Sequence, residues 1–261
     1  MSVITNKPTS LQTGSGCRAR ILLLGGTYEA RMLAERIARE PDMEGLVSLA
    51  GRTNTPLSHD LPLRIGGFGG VDGLIRYLTA SKISHIIDAT HPFAAEISLN
   101  AQKASDFLGL PFLTFTRQPW RPVPGDRWVE VQDMVSAITA LGVAPQRVFL
   151  GVGRQAAANF RDAPQHSYLL RIIDPPQNKE LPLQCEIIVG RGPFALKDEL
   201  ALLQEHKINF VVSKNSGGEI GYTKIVAARE LGLEVIMISP PKYQSKSVAY
   251  DYDTVMKFLA A

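Results

Sequence analysis

Two stretches join an apolar run to a helical pattern through glycine, the arrangement that lets an anion approach backbone N–H groups. In Leu24-Gly25-Gly26-Thr27-Tyr28-Glu29, the absent side chains of Gly25 and Gly26 leave room for a pyrophosphate, and Thr27 is placed to cap the following helix. A merely tight strand-to-helix turn uses glycine in the same way, and Tyr28 and Ala30 keep the stretch from matching G-x-G-x-x-G. The next apolar run ends in Gly51-Arg52-Thr53, 26 positions after Gly25, where dinucleotide folds read the adenosine ribose. An arginine beside a hydroxyl suits a 2′-phosphate better than a free 2′-hydroxyl, which favours NADPH; the plain alternative is a solvated surface arginine.

A third run ends in Asp88-Ala89-Thr90-His91-Pro92. Side chains at the carboxyl ends of parallel strands face the ligand crevice, so Asp88 and His91 could exchange protons or bind a ribose or substrate edge. Asp88 or Thr90 could equally cap a helix starting at Pro92. Later strand ends carry Arg154 and Gln155, then Arg191, then the second glycine turn, INFVVSKNSGGEIGYTK at 208–224, with Ser213, Lys214, Asn215, Ser216 and Gly217. Arginines, a lysine and small residues at strand ends suit a ligand with several carboxylates, and Lys214 could bind an anion or donate a proton; solvated side chains are the competing reading. The chain lacks Walker, zincin and nucleophile-elbow motifs, and its five histidines show no metal-ligand spacing, so no metal site is expected.

The elements that must position these residues alternate. ARILLLGG (19–26), LVSLAGRT (46–53), HIIDAT (85–90) and LPFLTF (110–115) read as buried parallel strands, with helical stripes between them such as Ala30, Leu33, Ala34, Ile37 and Ala38. RQPWRPVPGDR (117–127), with three prolines, breaks the pattern, and alternation resumes through RVFLGVG, SYLLRII, CEIIVG, INFVVSK and LEVIMIS to a last helix near 252–260. The expectation is an α/β protein of two Rossmann-like parallel-sheet halves flanking a central cleft: a flexible extension over 1–19, a nucleotide domain over 20–118 and a second domain over 119–261.

Composition narrows the partners. A net charge of +3 over 261 residues without a basic block argues against a bulk electrostatic grip on nucleic acid. No apolar run reaches the roughly 20 residues of a membrane helix, and the polar start lacks a signal-peptide core, so a cytoplasmic protein is expected. Cys17 and Cys185 have neither metal nor redox spacing and read as inert thiols.

Taken in order, LLLGGTYEARMLA, SLAGRT, IIDATHPFA, GVGRQ, GPF and SKNSGGEIGYTKIVAARELG resemble the precorrin-6A reductases of cobalamin biosynthesis, from about residue 20 to the C-terminus. The resemblance implies reduction of a ring double bond of precorrin-6A to give precorrin-6B, with NADPH as hydride donor and a polycarboxylate tetrapyrrole as substrate. It places Gly25, Gly26, Thr27, Glu29, Arg52 and Thr53 on the cofactor side and is compatible with handover from neighbouring pathway enzymes; the nicotinamide is then expected near Asp88, Thr90 and His91, with Lys214, Asp88 and His91 as candidates for proton chemistry. Two other enzymes stay open: a cobalt-precorrin-6A reductase using NADH, and a tetrapyrrole methyltransferase using S-adenosylmethionine. A non-enzymatic NADPH or corrinoid carrier is a further alternative.

Overall fold

The computed structural model describes residues 19–51, 60–174, 181–241 and 245–261. The chain divides into two compact units: Met1–Thr116 with Tyr243–Ala261, and Arg117–Lys242. In the first, β1 (Ala19–Leu24), α1 (Tyr28–Ala38), β2 (Met43–Leu49), β3 (Leu63–Ile65), α2 (Gly70–Ala80), β4 (His85–Asp88), α3 (Ala95–Leu108) and β5 (Phe112–Phe115) follow in chain order. Their apolar runs bury both faces of one sheet: Leu22 and Leu24 pack with Leu74, Leu78 and Ala101, while Ile21 and Leu23 pack with Leu33 and Ile37. Such two-sided burial is why these strands are continuously apolar.

The second unit runs through β6 (Arg127–Val131), α4 (Met134–Ala140), β7 (Arg147–Gly151), α5 (Arg154–Ala157), β8 (Ser167–Ile172), β9 (Cys185–Val189), α6 (Leu196–Glu205), β10 (Phe210–Lys214), α7 (Thr223–Glu230) and β11 (Glu234–Ile238). The chain then contributes β12 (Val248–Ala249) and α8 (Tyr252–Leu259).

Each sheet has six strands, ordered β12-β5-β4-β1-β2-β3 and β6-β11-β10-β7-β8-β9, and every pairing is parallel. Both follow the doubly wound order 3-2-1-4-5 with one further edge strand, so each has a switch point where the order reverses. These switch points lie between β1 and β4 and between β7 and β10. The α/β, two-sheet architecture expected from the alternation is therefore present.

The expected second domain of 119–261 needs correction. The C-terminal segment returns to the first sheet: Val248 and Ala249 pair with Thr114 and Phe115, and Val255 and Leu259 of α8 enter the core formed by Ile21, Leu23 and Leu33. The edge strand of the second sheet instead comes from 127–131, just past the proline-rich segment. Two residues of strand followed by an amphipathic helix mark a packing face without naming the sheet it joins. A smaller difference lies at α3, which starts at Ala95 rather than Pro92 and has no side-chain cap from Asp88 or Thr90.

Candidate active site

At the first switch point the two glycines do different work. A Cβ on Gly25 would lie 3.1 Å from Val47 Cγ1 and 3.3 Å from a Leu49 methyl, so this position is kept small by packing between β2 and α1. Gly26 has φ +113 and nothing within 4 Å of the place a Cβ would occupy. Only glycine takes this conformation without strain, and its backbone is open to an approaching group. The Thr27 hydroxyl accepts from Ala30 N–H at 3.1 Å and donates to the Ala89 carbonyl at 2.8 Å. One side chain thus caps α1 and pins the turn to the end of β4. Glu29, in the first turn of α1, is half-buried and its charge helps raise the Tyr252 phenol pKa, behind burial as the main cause; it does not line the cavity described next.

The turn opens on a cavity of about 650 Å³ lined by residues 24–26, 48–51, 65–70, 90–91, 93–97 and 100. That is within the size range of small-molecule sites, and its walls are the carboxyl ends of β1, β2, β3 and β4. Thr90 and His91 line it, and His91 Nδ1 accepts from Phe93 N–H at 3.3 Å. Asp88 does not line it. This carboxylate is 2% exposed and accepts from Thr90 N–H at 3.1 Å and Thr90 Oγ1 at 2.7 Å, with Ser98 Oγ 3.3 Å from Thr90 Oγ1. Burial raises the Asp88 pKa, and the hydrogen bonds from Ser98 and Thr90 oppose that rise. Asp88 holds Thr90 from behind instead of facing the cavity, unlike the cleft-facing acid expected from its place at a strand end. Arg52 and Thr53, the expected 2′-phosphate pair, lie outside the described residues.

The cavity wall also contains Gly66-Gly67-Phe68-Gly69-Gly70, which enters α2 and was not singled out from sequence. Four glycines in five positions before a helical stripe are a usable signal, hidden here because the strand ahead of them is only Leu63–Ile65.

At the second switch point the glycine turn after β10 is held from within. Asn215 accepts from Trp120 N–H at 2.8 Å and donates to the Trp120 carbonyl at 2.9 Å, while the Trp120 indole donates to Gly218 O at 2.6 Å. Ser213 is fully buried, and a Cβ on Gly217 would stand 2.3 Å from the Gln118 carbonyl oxygen. Ser213, Asn215 and Gly217, expected as substrate contacts, are spent on the fold. Ser216 and Lys214 are half-buried, with the Ser216 N–H bonded to the Lys214 carbonyl at 2.9 Å. Arg154 and Gln155, directly after Gly153 at φ +80, are exposed, as is Arg191.

Behind this turn sits a charged group the sequence reading missed. Lys224 is 7% exposed, donates to the Gly221 carbonyl and stands 5.1 Å from the Trp120 ring centroid. A Cβ on Gly151 would lie 3.0 Å from Lys224 Cε, so Gly151 makes room for this lysine. Arg171 pairs with buried Glu199 at 2.7 Å. Burial, reinforced by Arg171 and opposed by Glu199, lowers the Lys224 pKa to about 8. The half-buried Cys185 thiol is pushed up to about 11 by burial, the behaviour of an unreactive thiol. Among the described residues no helix is long and apolar enough to cross a membrane.

Two parallel sheets of this order, each with a glycine turn at its switch point, place the chain in the Rossmann-like class. The family model described as precorrin-6x reductase CbiJ/CobK matches residues 20–260, and the chain belongs to that family. The precorrin-6A reductase of Rhodobacter capsulatus is 47% identical over 242 residues, covering 92% of this chain and 96% of the relative. A solved structure of CobK precorrin-6A reductase is 46% identical with a TM-score of 0.88, covering 93% of this chain and 96% of that one. The cobalt-precorrin-6A reductase of Priestia megaterium is 28% identical over 252 residues, covering 92% of this chain and 97% of the relative.

Proposed function

We propose that this chain is an NADPH-dependent precorrin-6A reductase, reducing a ring double bond of its substrate to give precorrin-6B in cobalamin biosynthesis. The observation that carries the reading is the first switch point, where the open Gly26 backbone, two residues ahead of α1, lines a cavity of about 650 Å³. The backbone N–H groups of Gly26 and Thr27 suit a pyrophosphate, while Gly25, whose own N–H is bonded to Ser48 O at 3.0 Å, keeps the turn small enough for its approach; Arg52 and Thr53 suit a 2′-phosphate. Thr90, held by Asp88, and His91 suit the nicotinamide end. When bound, the dinucleotide supplies the hydride.

The chain's own residues then orient the reactants and deliver a proton. Alignment of donor and acceptor is worth about 7–11 kcal/mol in favourable models. Arg154, Gln155, Arg191 and Ser216 take the carboxylate arms, and Lys214 gives the proton to the neighbouring carbon, directly or through water. The metal-free substrate is favoured over its cobalt complex because the chain is 47% identical to a precorrin-6A reductase and 28% identical to a cobalt-precorrin-6A reductase.

Titration of the purified protein with NADPH, NADH and S-adenosylmethionine tests the cofactor assignment. NADPH binds more tightly than NADH, and Arg52→Glu removes that preference. Tight binding of S-adenosylmethionine alone would sink the reductase reading, and unchanged selectivity in Arg52→Glu would take Arg52 out of the phosphate site.

A further inference from the structure

We propose that Arg64 is a positioning residue for the cofactor, holding the glycine-rich wall 66–70 of the first-unit cavity in a single preformed shape. Arg64 lies in β3 and does not itself line the cavity. Its guanidinium donates to the Gly66 carbonyl, to Gly67 O at 2.7 Å and to Ser48 Oγ at 3.4 Å. The Arg64 Cζ stands 3.9 Å from the Phe68 ring centroid and 5.1 Å from that of Tyr77. Ser48, Gly66, Gly67 and Phe68 all line the cavity, so this one fork grips four wall residues from behind.

The loop needs such a grip. Gly66, Gly69 and Gly70 have φ +120, +80 and +78, conformations that suit glycine, and glycine loses more backbone freedom on ordering than any other residue. A free loop of this composition would have to be ordered by the ligand, at the cost of affinity; a loop already fixed binds without that loss. Two contacts complete the frame: Gly66 N–H donates to Leu49 O at 2.8 Å, and α2 presses so closely that a Cβ on Gly73 would stand 1.7 Å from the Phe68 carbonyl oxygen. Among the described residues Arg64 forms no ion pair, so its donors serve carbonyls, a hydroxyl and ring faces. Lysine, with a compact ammonium, cannot reproduce the planar fork and stack.

This inference rests on the first-unit cavity being the dinucleotide site, and the test separates the two. Arg64→Ala and Arg64→Lys are titrated with NADPH and with NADH, and thermal unfolding, kcat and both KM values are recorded. Loss of a preformed wall raises both dinucleotide Kd values about tenfold in Arg64→Ala and leaves their ratio unchanged. Arg64→Lys recovers less than half of the loss on a logarithmic scale. The KM for the tetrapyrrole and kcat at saturating NADPH stay within about twofold of wild type, since the residue acts through the loop alone. Wild-type affinity for both dinucleotides in Arg64→Ala would overturn the inference while leaving the cofactor site standing. So would a loss confined to NADPH, which would make Arg64 a direct reader of the phosphate, or an equal rise in the tetrapyrrole KM, which would mean general damage. Failure of the wild-type protein to bind either dinucleotide would overturn the cofactor site and this inference together.

Discussion

The two sheets share a strand order and a glycine turn at each switch point, yet the turns are finished differently. After β1, Gly26 is open and the flanking hydroxyl of Thr27 serves the fold while the backbone faces a cavity. After β10, the polar groups are turned inward: Asn215 is doubly bonded to Trp120, Ser213 is buried, and Lys224 fills the space beside Gly151. Equal topology therefore does not mean equally open turns. Both turns have donors that found partners inside the chain, Gly25 N–H with Ser48 O at 3.0 Å in the first and Asn215 with Trp120 in the second; the difference is the Gly26 backbone, which stays open to the cavity.

The sharpest way to break the comparison is to spoil both turns alike. Gly26→Val places a branched side chain at φ +113 on the cavity wall and is expected to raise the NADPH Kd about a hundredfold. Gly218→Val carries comparable strain at φ +72 after β10 and should leave that Kd within about twofold. Isothermal titration reads both; equal losses would show that strain alone, not position, sets the effect. Next in size is proton delivery. Lys214→Ala should slow single-turnover reduction about a hundredfold with NADPH affinity intact, whereas Asp88→Asn, which keeps an acceptor for Thr90, should stay within about threefold. The reverse order would return the proton to Asp88.

The smallest effect is on stability. Lys224 falls from an ordinary 10.5 to about 8, so between those pH values the folded state holds fewer protons than the unfolded chain. Wild-type stability should therefore rise with pH across that window, by at most about 3 kcal/mol, with the penalty fully present below pH 8. Lys224→Met should flatten that rise, and its stability relative to wild type should be greatest below pH 8. Urea unfolding at pH 7 and pH 10 would check this, and parallel pH profiles would remove Lys224 as the cause.

Central strands were legible because two-sided burial writes them as apolar runs: ARILLL and FVVSK could be read directly. Of the four edge strands only β9, CEIIV, was. LRI, RWVEV and VA are short or alternate polar with apolar residues, and their pairing is set by distant chain segments. The return of α8 to the first sheet was illegible for the same reason: Val255 and Leu259 announce a buried face but not its partner. At the site, the strand-end glycines were legible, since turn chemistry is local. Which hydroxyls and amides face a ligand was not, because Ser213 and Asn215 look like free donors until Trp120 and the sheet claim their space. Arg64 escaped notice because its role lies in what its fork holds.

The central claim, reduction of a metal-free corrin precursor by NADPH, is tested most directly by following NADPH oxidation with precorrin-6A and with its cobalt complex, identifying the product by mass. The account predicts stoichiometric NADPH consumption and a product with the mass of precorrin-6B from the metal-free substrate, at a rate well above that with the cobalt complex. Stable NADPH absorbance with authentic precorrin-6A, or turnover of the cobalt complex alone, would contradict it.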